Sequence, residues 1–289
     1  MAGAFVGVAD DATATYWNPA GLAYGPPAGM TIGWVDFRNG NQNGVPVPGQ
    51  THRTSKFVSL GTMPVGISYG TFEERRIATD LARGDHVETA RISHFGTTIV
   101  QTLAEGLVIG STVKYLRGSA VSGPINGLST RDALKAASDL EGSTSGAFDL
   151  DIGIMADFGK ARVGVTMRNV REPAFSDGAG TAIQLKRQSR VGLAVLPTRG
   201  LTLAMDLDLD TVALRDGPRR ILAIGVEERL GARWALRGGT RWSLEGSKRQ
   251  VAAVGGSVAL RRGLWLDWHY TTGGIDADRG YGVALRVGS

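Results

Sequence analysis

Between Leu201 and Asp210 the chain alternates without a break. Leu201, Leu203, Met205, Leu207 and Leu209 fall on one side, and Thr202, Ala204, Asp206, Asp208 and Asp210 on the other. A period of two is the side-chain period of a β-strand, so this segment has one wholly apolar face and one acidic face. The pattern recurs at 148–158, where Phe148, Leu150, Ile152, Ile154 and Phe158 oppose Asp149, Asp151, Gly153 and Asp157. It recurs again at 162–168, with Val163, Val165 and Met167 opposite Arg162, Gly164, Thr166 and Arg168. Five further segments of the C-terminal half follow it, the last pairing Tyr281, Val283, Leu285 and Val287 against Gly282, Ala284 and Arg286.

This repetition limits the fold classes open to the chain. Hydrophobic residues make up 42% of the sequence, yet no apolar run is long enough to span a bilayer as a helix. Glycine is frequent, at 42 residues, and cysteine is absent. The absence of cysteine fits passage through an oxidising compartment, though it is a weak sign. A net charge of +5 would suit a nucleic-acid partner if the basic residues clustered, but Arg and Lys are spread among strands and strand ends. The composition therefore points to an all-β chain and away from nucleic-acid binding.

Alternation alone fits a soluble sandwich as well as a membrane barrel. Connection lengths separate the two. Long links at about 38–53, 73–87, 118–144 and 171–181 alternate with tight ones at Thr62-Met63-Pro64, Ala104-Glu105-Gly106, Gly159-Lys160 and 197–200. Later links on the long side shorten to segments such as 245–247 and 273–278, while Gly231-Ala232 and 261–263 stay tight. Short turns at one end and longer loops at the other are the rhythm of an antiparallel transmembrane β-barrel, here of about fourteen strands. Trp34, Trp234, Trp242, Trp268, Tyr69, Tyr115, Tyr270 and Tyr281 fall on the apolar faces, several near strand ends, as interfacial aromatics do. One helix is expected in the longest loop, over 129–140, with Ser129 and Asp132 spaced as a capping box. It would cover the barrel mouth, contact a partner or order its loop.

With the apolar faces in lipid, Asp149, Asp151, Arg168, Arg190, Asp206, Asp208, Asp210, Glu227, Arg233, Arg237 and Arg241 face the lumen. The acidic 206–210 ladder and the basic 233–241 ladder are then expected to pair, fixing register and holding whatever fills the lumen. A selectivity filter is the alternative. Catalysis finds no support. His52, His86, His94 and His269 lack metal-ligand spacing, no cysteine is available for zinc, and the Asp206–Asp208–Asp210 series sits on a strand rather than in a calcium loop. No enzyme activity, cofactor or metal is expected.

Residues 3–24 precede the first strand and do not alternate. Asp10 or Asp11 is placed to cap a short helix ending at Trp17, and Pro19 with Gly21 to force a turn. The run Ala-Asp-Asp-Ala-x-Ala-x-Tyr-Trp-Asn-Pro-Ala-Gly-Leu-Ala resembles the N-terminal signature of the FadL superfamily of outer-membrane barrels, nearer its PorV/PorQ and TraF-like branch. Phe148–Gly153, Arg168-Asn169-Val170 with Pro173, and Arg279–Gly282 are also similar to that branch.

The resemblance implies a barrel over residues 28–289 and an N-terminal plug over 1–27, seated by Asn18, Pro19, Ala20 and Gly21. It further implies location in the bacterial outer membrane and passive transport of hydrophobic or amphipathic small molecules. Partners would then be outer-membrane lipid and a hydrophobic ligand. The alternative is a non-transporting scaffold or carrier of a secretion or envelope machine, whose partners would be envelope proteins. Two departures bear on this choice. The segment is shorter than the hatch of fatty-acid transporters, and Val287-Gly288-Ser289 stands where a terminal aromatic is usual. No secretory leader is visible after Met1, so the sequence reads as a mature or truncated chain.

Overall fold

A computed structural model describes every residue except 41–44, 81–83, 126, 177–181, 215–216, 247–249, 275–278 and 289. The expected links 171–181, 245–247 and 273–278 fall partly outside the described residues. Fourteen strands form one closed antiparallel barrel. They are β1 (Ala28–Asn39), β2 (Thr51–Thr62), β3 (Val65–Asp80), β4 (Gly84–Ala104), β5 (Leu107–Pro124), β6 (Thr144–Asp157) and β7 (Ala161–Arg168), followed by β8 (Gln188–Thr198), β9 (Leu201–Asp208), β10 (Ile221–Leu230), β11 (Trp234–Ser243), β12 (Gln250–Arg261), β13 (Leu264–Gly273) and β14 (Arg279–Gly288). Each strand pairs with its sequence neighbours, and β1 closes the ring on β14 through ten register pairs from Gly29↔Gly288 to Arg38↔Arg279. Closure removes every sheet edge, which is what a strand-built membrane span requires.

Two segments read as loops are strand instead. Residues 73–80 and 84–87 continue β3 and β4, and 118–124 continues β5. Their Glu, Arg, Thr and Ser side chains break the apolar alternation but not the backbone pairing, which runs unbroken from Val65↔Ile99 to Asp80↔Gly84. At 16, 21 and 18 residues, β3, β4 and β5 build a wall that rises above the loop end of the eight-residue β7 and β9.

Side-chain parity follows from the register. Outward positions carry Ile99, Val113, Ile154, Leu203, Leu236, Val254 and Leu285, all exposed in the isolated chain. Tyr69, Phe95, Tyr115 and Phe148 are consecutive register partners across β3–β6 and form an unbroken outward aromatic row. Trp34 and Tyr281 extend the aromatic positions to β1 and β14, their rings 5.3 Å apart edge to face. A tall apolar exterior edged by aromatic side chains is a lipid-facing surface.

The expected helix is present as α2 (Thr130–Ala136), continued by a 3₁₀ turn over Ala137–Asp139. Ser129 Oγ accepts the Asp132 N–H at 3.3 Å, as its spacing predicts. Its position is not over the lumen. Leu134, Ala133 and Ala137 pack on Ile77 and Val87, which share the outward parity of Tyr69 and Phe95. Thr89 Oγ1 and Arg75 Nη1 donate to the Ala137 and Leu134 carbonyls from the same face. The helix therefore clasps the outside of the β3–β5 wall. The lumen is entered instead by a small hairpin, Ala174–Ser176 paired with Ala182–Gln184, whose Phe175 lies on inward-facing Gly118 beside Ile92 and Leu116.

Lys114 holds the inner face of the wall to its neighbours. Its ammonium lies 2.9 Å from Asp149 Oδ2 and 2.7 Å from Asp151 Oδ1, and donates to Asn169 Oδ1 at 3.0 Å. Both aspartates are 2% exposed. Removing the cation would leave two buried like charges together, which costs about 3–5 kcal/mol. Lys114→Met is expected to lower the temperature at which the detergent-solubilised barrel loses its heat-modifiable band on gels by well over 5 °C, whereas exposed Lys160→Met leaves it unchanged.

Candidate functional site

The N-terminal segment occupies the lumen, as the resemblance implied. Its elements are short: α1 (Ala14–Trp17) and a 3₁₀ turn over Pro19–Tyr24. Neither Asp10 nor Asp11 is the helix cap. Asp11 Oδ1 accepts the Thr13 N–H at 2.8 Å and so forms a turn ahead of the helix, and Thr13 occupies the cap position without a side-chain bond.

Backbone inside a barrel that is not itself in a ladder needs partners for its N–H and C=O groups. Asn18 and Asp206 each supply more than one, and Thr112 Oγ1 adds a bond to the Thr15 carbonyl at 3.3 Å. Asn18 is fully buried. Its amide donates to the Val6 carbonyl at 3.1 Å and to the Ile154 carbonyl of β6 at 3.2 Å, while its Oδ1 accepts the Ala20 N–H at 3.2 Å. Asp206 on β9 accepts the Phe5 and Val6 N–H groups, each at 2.9 Å. Pro19 opens the 3₁₀ turn, where its missing N–H is no loss. Gly21 is needed for room rather than for positive φ, because a Cβ there would overlap the Ala9 carbonyl and side chain.

The wall meets the segment with glycine. Gly110 and Gly153 are register partners on β5 and β6, Gly164 and Gly192 on β7 and β8, and Gly225 and Gly239 on β10 and β11. A Cβ on Gly110 would stand 2.5 Å from the Pro19–Ala20 peptide, and one on Gly192 2.5 Å from the Gly7 nitrogen. At Gly153 it would strike Asn18 and Pro19, at Gly164 the Val6 carbonyl, and at Gly225 and Gly239 Met1. The plug thus lies backbone against wall over six strands.

The lumenal charges surround this seat. Asp149, Asp151, Arg168, Asp206, Asp208, Arg237 and Arg241 have inward parity, as expected. The 206–210 and 233–241 ladders, expected to pair, are not neighbours, because β10 lies between β9 and β11. Asp208 instead pairs with Arg190 at 2.6 Å, and Arg237 with Glu227 at 2.5 Å and Asp267 at 3.4 Å. Asp210 lies beyond the end of β9, where it accepts the Ser189 N–H at 2.9 Å. Arg233 sits in the tight turn before β11 and is exposed to solvent, not lumenal. The Arg168 guanidinium lies 3.7 Å from the centre of the Tyr16 ring on top of the plug, a cation–π contact.

Lys114 and Asp267 were not singled out as lumenal charges from sequence, nor was the glycine seat. A second feature missed there is apolar. Above the polar inward row of Thr31, Ser59, Ser68, Gly96 and Lys114, the next inward row carries Phe57, His94 and Leu116, with Gly70 between Phe57 and His94 and Gly33 beyond Phe57. The next row carries Phe72 and Ile92 and ends at Gly118, on which Phe175 lies. Phe175 covers Ile92 and Leu116, so that all three are buried, and Phe57 and Phe72 remain accessible as an apolar shelf between plug and hairpin. At the other end a polar cavity of about 320 Å³ opens between Asp10, Asp11, Tyr24, Arg229, Trp265 and Arg286. Burial and the neighbouring Asp11 carboxylate push Asp10 up to about 6.

With this geometry in hand, the chain can be set beside known proteins. Residues 87–208, less than half of the chain, match the family described as F plasmid transfer operon, TraF, protein. No curated protein matches the chain in sequence. Among solved structures it is similar to the CymD monoaromatic hydrocarbon channel, with TM-score 0.63 and 13% identity over 96% of this chain and 91% of that one. It is similar to a Pseudomonas aeruginosa FadL homologue, with TM-score 0.62 and 11% identity over 98% and 95%. It is similar also to the Pseudomonas putida toluene transporter TodX, with TM-score 0.61 and 12% identity over 95% and 91%. At such identities the likeness is one of fold, and the fold is that of FadL-type outer-membrane channels.

If the glycine seat holds the plug, a single methyl should lift it. Gly153→Ala is expected to make the N-terminal segment cleavable by added protease in the folded barrel at least tenfold faster than wild type. Gly238→Ala, whose new Cβ would meet only Val226 at 3.8 Å, should leave the rate unchanged.

Proposed function

We propose that this protein is a plugged channel of the bacterial outer membrane that passes hydrophobic or amphipathic small molecules down their gradient. The observation that carries this reading is the accessible apolar pair Phe57 and Phe72 on the loop side of the plug, a shelf backed by the buried Ile92–Leu116–Phe175 cluster. Charged lumens that serve only ions have no use for such a surface, and burying one aromatic ligand against it is favourable by about 2–3 kcal/mol. The shelf collects ligand from the loop end, Tyr16 and the plug form its floor, and the seated backbone below blocks onward passage. Movement of the plug from its glycine seat is then the gating step. The channels with similar folds named above, described as a monoaromatic hydrocarbon channel and a toluene transporter, support the same class of ligand.

A second reading is favoured by one observation, the match of residues 87–208 to a family named for a transfer operon. In it the barrel is a scaffold of an envelope machine, of the kind the PorV/PorQ and TraF-like branch suggests, and the tall β3–β5 wall with α2 is its docking surface.

Uptake by intact cells separates the two. In a Gram-negative host lacking its own hydrocarbon channels, the wild-type chain is expected to raise uptake of a radiolabelled monoaromatic at least severalfold. Phe57→Asp/Phe72→Asp, inserted at equal level, should return it to background. Wild-type uptake no greater than that of cells without the barrel, with stable co-isolation of other envelope proteins, would contradict the channel and favour the scaffold.

A further inference from the structure

The outward face of the wall changes character abruptly above the aromatic row. Immediately over Tyr69, Phe95, Tyr115 and Phe148 the next outward row runs Lys56, Thr71, Ser93, Arg117 and Gly146, consecutive register partners across β2–β6. Lys56 and Arg117 are both exposed. Neither has an ion-pair or hydrogen-bond partner among the described residues, unlike the inward-facing Lys114, Arg190 and Arg237. The following rows add Arg91 and Arg75, which share one carboxylate, Glu73, at 3.2 and 3.1 Å. Four cations thus stand against one anion over three successive outward rows of β2–β5. The exposed face of α2 beside them is mixed, with Arg131 and Lys135 next to Asp132 and, beyond the helix, Asp139 and Glu141.

Position gives this patch a partner. Aromatic rows mark the level where acyl chains give way to headgroups. A cation one row higher therefore lies in the headgroup layer, with its stem along the apolar surface. Lys56 and Arg117 are three strands apart, roughly 14 Å across the sheet, a span suited to one headgroup with two anionic groups better than to a single phosphate. We propose that the β2–β5 face is a binding surface for a phosphorylated glycolipid of the outer leaflet, with Lys56 and Arg117 contacting its two phosphates and the Tyr69–Phe95–Tyr115–Phe148 row receiving its acyl chains. The Arg91–Glu73–Arg75 group and the α2 clasp hold the upper border of the surface. This rests on the outer-membrane reading above and is independent of whether the lumen conducts.

The test uses the full-length barrel in detergent, its folding checked by heat-modifiable mobility. Binding of bis-phosphorylated lipid A and of its dephosphorylated counterpart is measured by native mass spectrometry. Wild type is expected to retain the phosphorylated lipid in preference, and Lys56→Gln/Arg117→Gln to weaken that binding by roughly tenfold or more. Lys160→Gln/Arg199→Gln removes equal charge from the opposite end of the barrel and should bind as wild type does. Equal retention of both lipids by wild type would overturn the proposal, as would equal loss in the two double variants, which would indicate net charge alone. Separately, flotation of the wild-type chain with outer-membrane rather than other fractions checks the location on which the proposal rests, so that a misplaced barrel is told apart from one that does not bind this lipid.

Discussion

Everything in the lumen depends on how an irregular stretch of backbone is made tolerable inside a closed sheet. Strands satisfy their own N–H and C=O groups in the ladder, and a plug has no ladder. Asp206 supplies one solution by taking the Phe5 and Val6 N–H groups on a single carboxylate oxygen. Asn18 supplies the other by bonding to plug and wall at once. Once these anchors are set, close approach follows, and close approach requires glycine on the wall strands. The glycine-rich composition of the chain is in part the imprint of that contact.

The charge network reads differently in this light. Lys114, Arg190 and Arg237 each sit against inward carboxylates, and Arg190 also reaches the Gly3 carbonyl of the plug at 3.5 Å. Pairing among neighbouring strands fixes register and neutralises the wall, so the lumen tolerates an apolar shelf just above the seat. A wall neutralised from within also contrasts with the outward cations Lys56 and Arg117, which have no protein partner among the described residues and face a layer where anions are available.

Much of the fold was legible because the side-chain period of a strand is short and local. The alternation at 148–158, 162–168 and 201–210 maps onto β6, β7 and β9, and the tight turns fall where Gly and Pro placed them. The tops of β3–β5 were not legible, since above the bilayer neither face need be apolar and alternation fades at Glu73, Arg91 and Ser119. The charge partners were misassigned for a topological reason. Asp208 and Arg237 lie near one another in sequence, but β10 is interposed, and only the register reveals Arg190 and Glu227 as their partners. Asn18 was found through a family resemblance. Its contacts with Val6 and Ile154 span 12 and 136 residues, and no local pattern encodes them. The glycine seat did leave a trace, in glycines at inward positions of paired strands, but it carries meaning only once the plug is known to lie there.

The central claim is that residues 1–27 are a seated plug rather than a free tail. Hydrogen–deuterium exchange of the barrel in lipid nanodiscs tests it most directly. The account predicts that amides of Phe5, Val6 and Ala20 exchange as slowly as those of the β6 and β7 ladders, and that Asp206→Ala speeds Phe5 and Val6 without altering the strands. Exchange of the wild-type segment within seconds, at the rate of the exposed 159–160 turn, would contradict it.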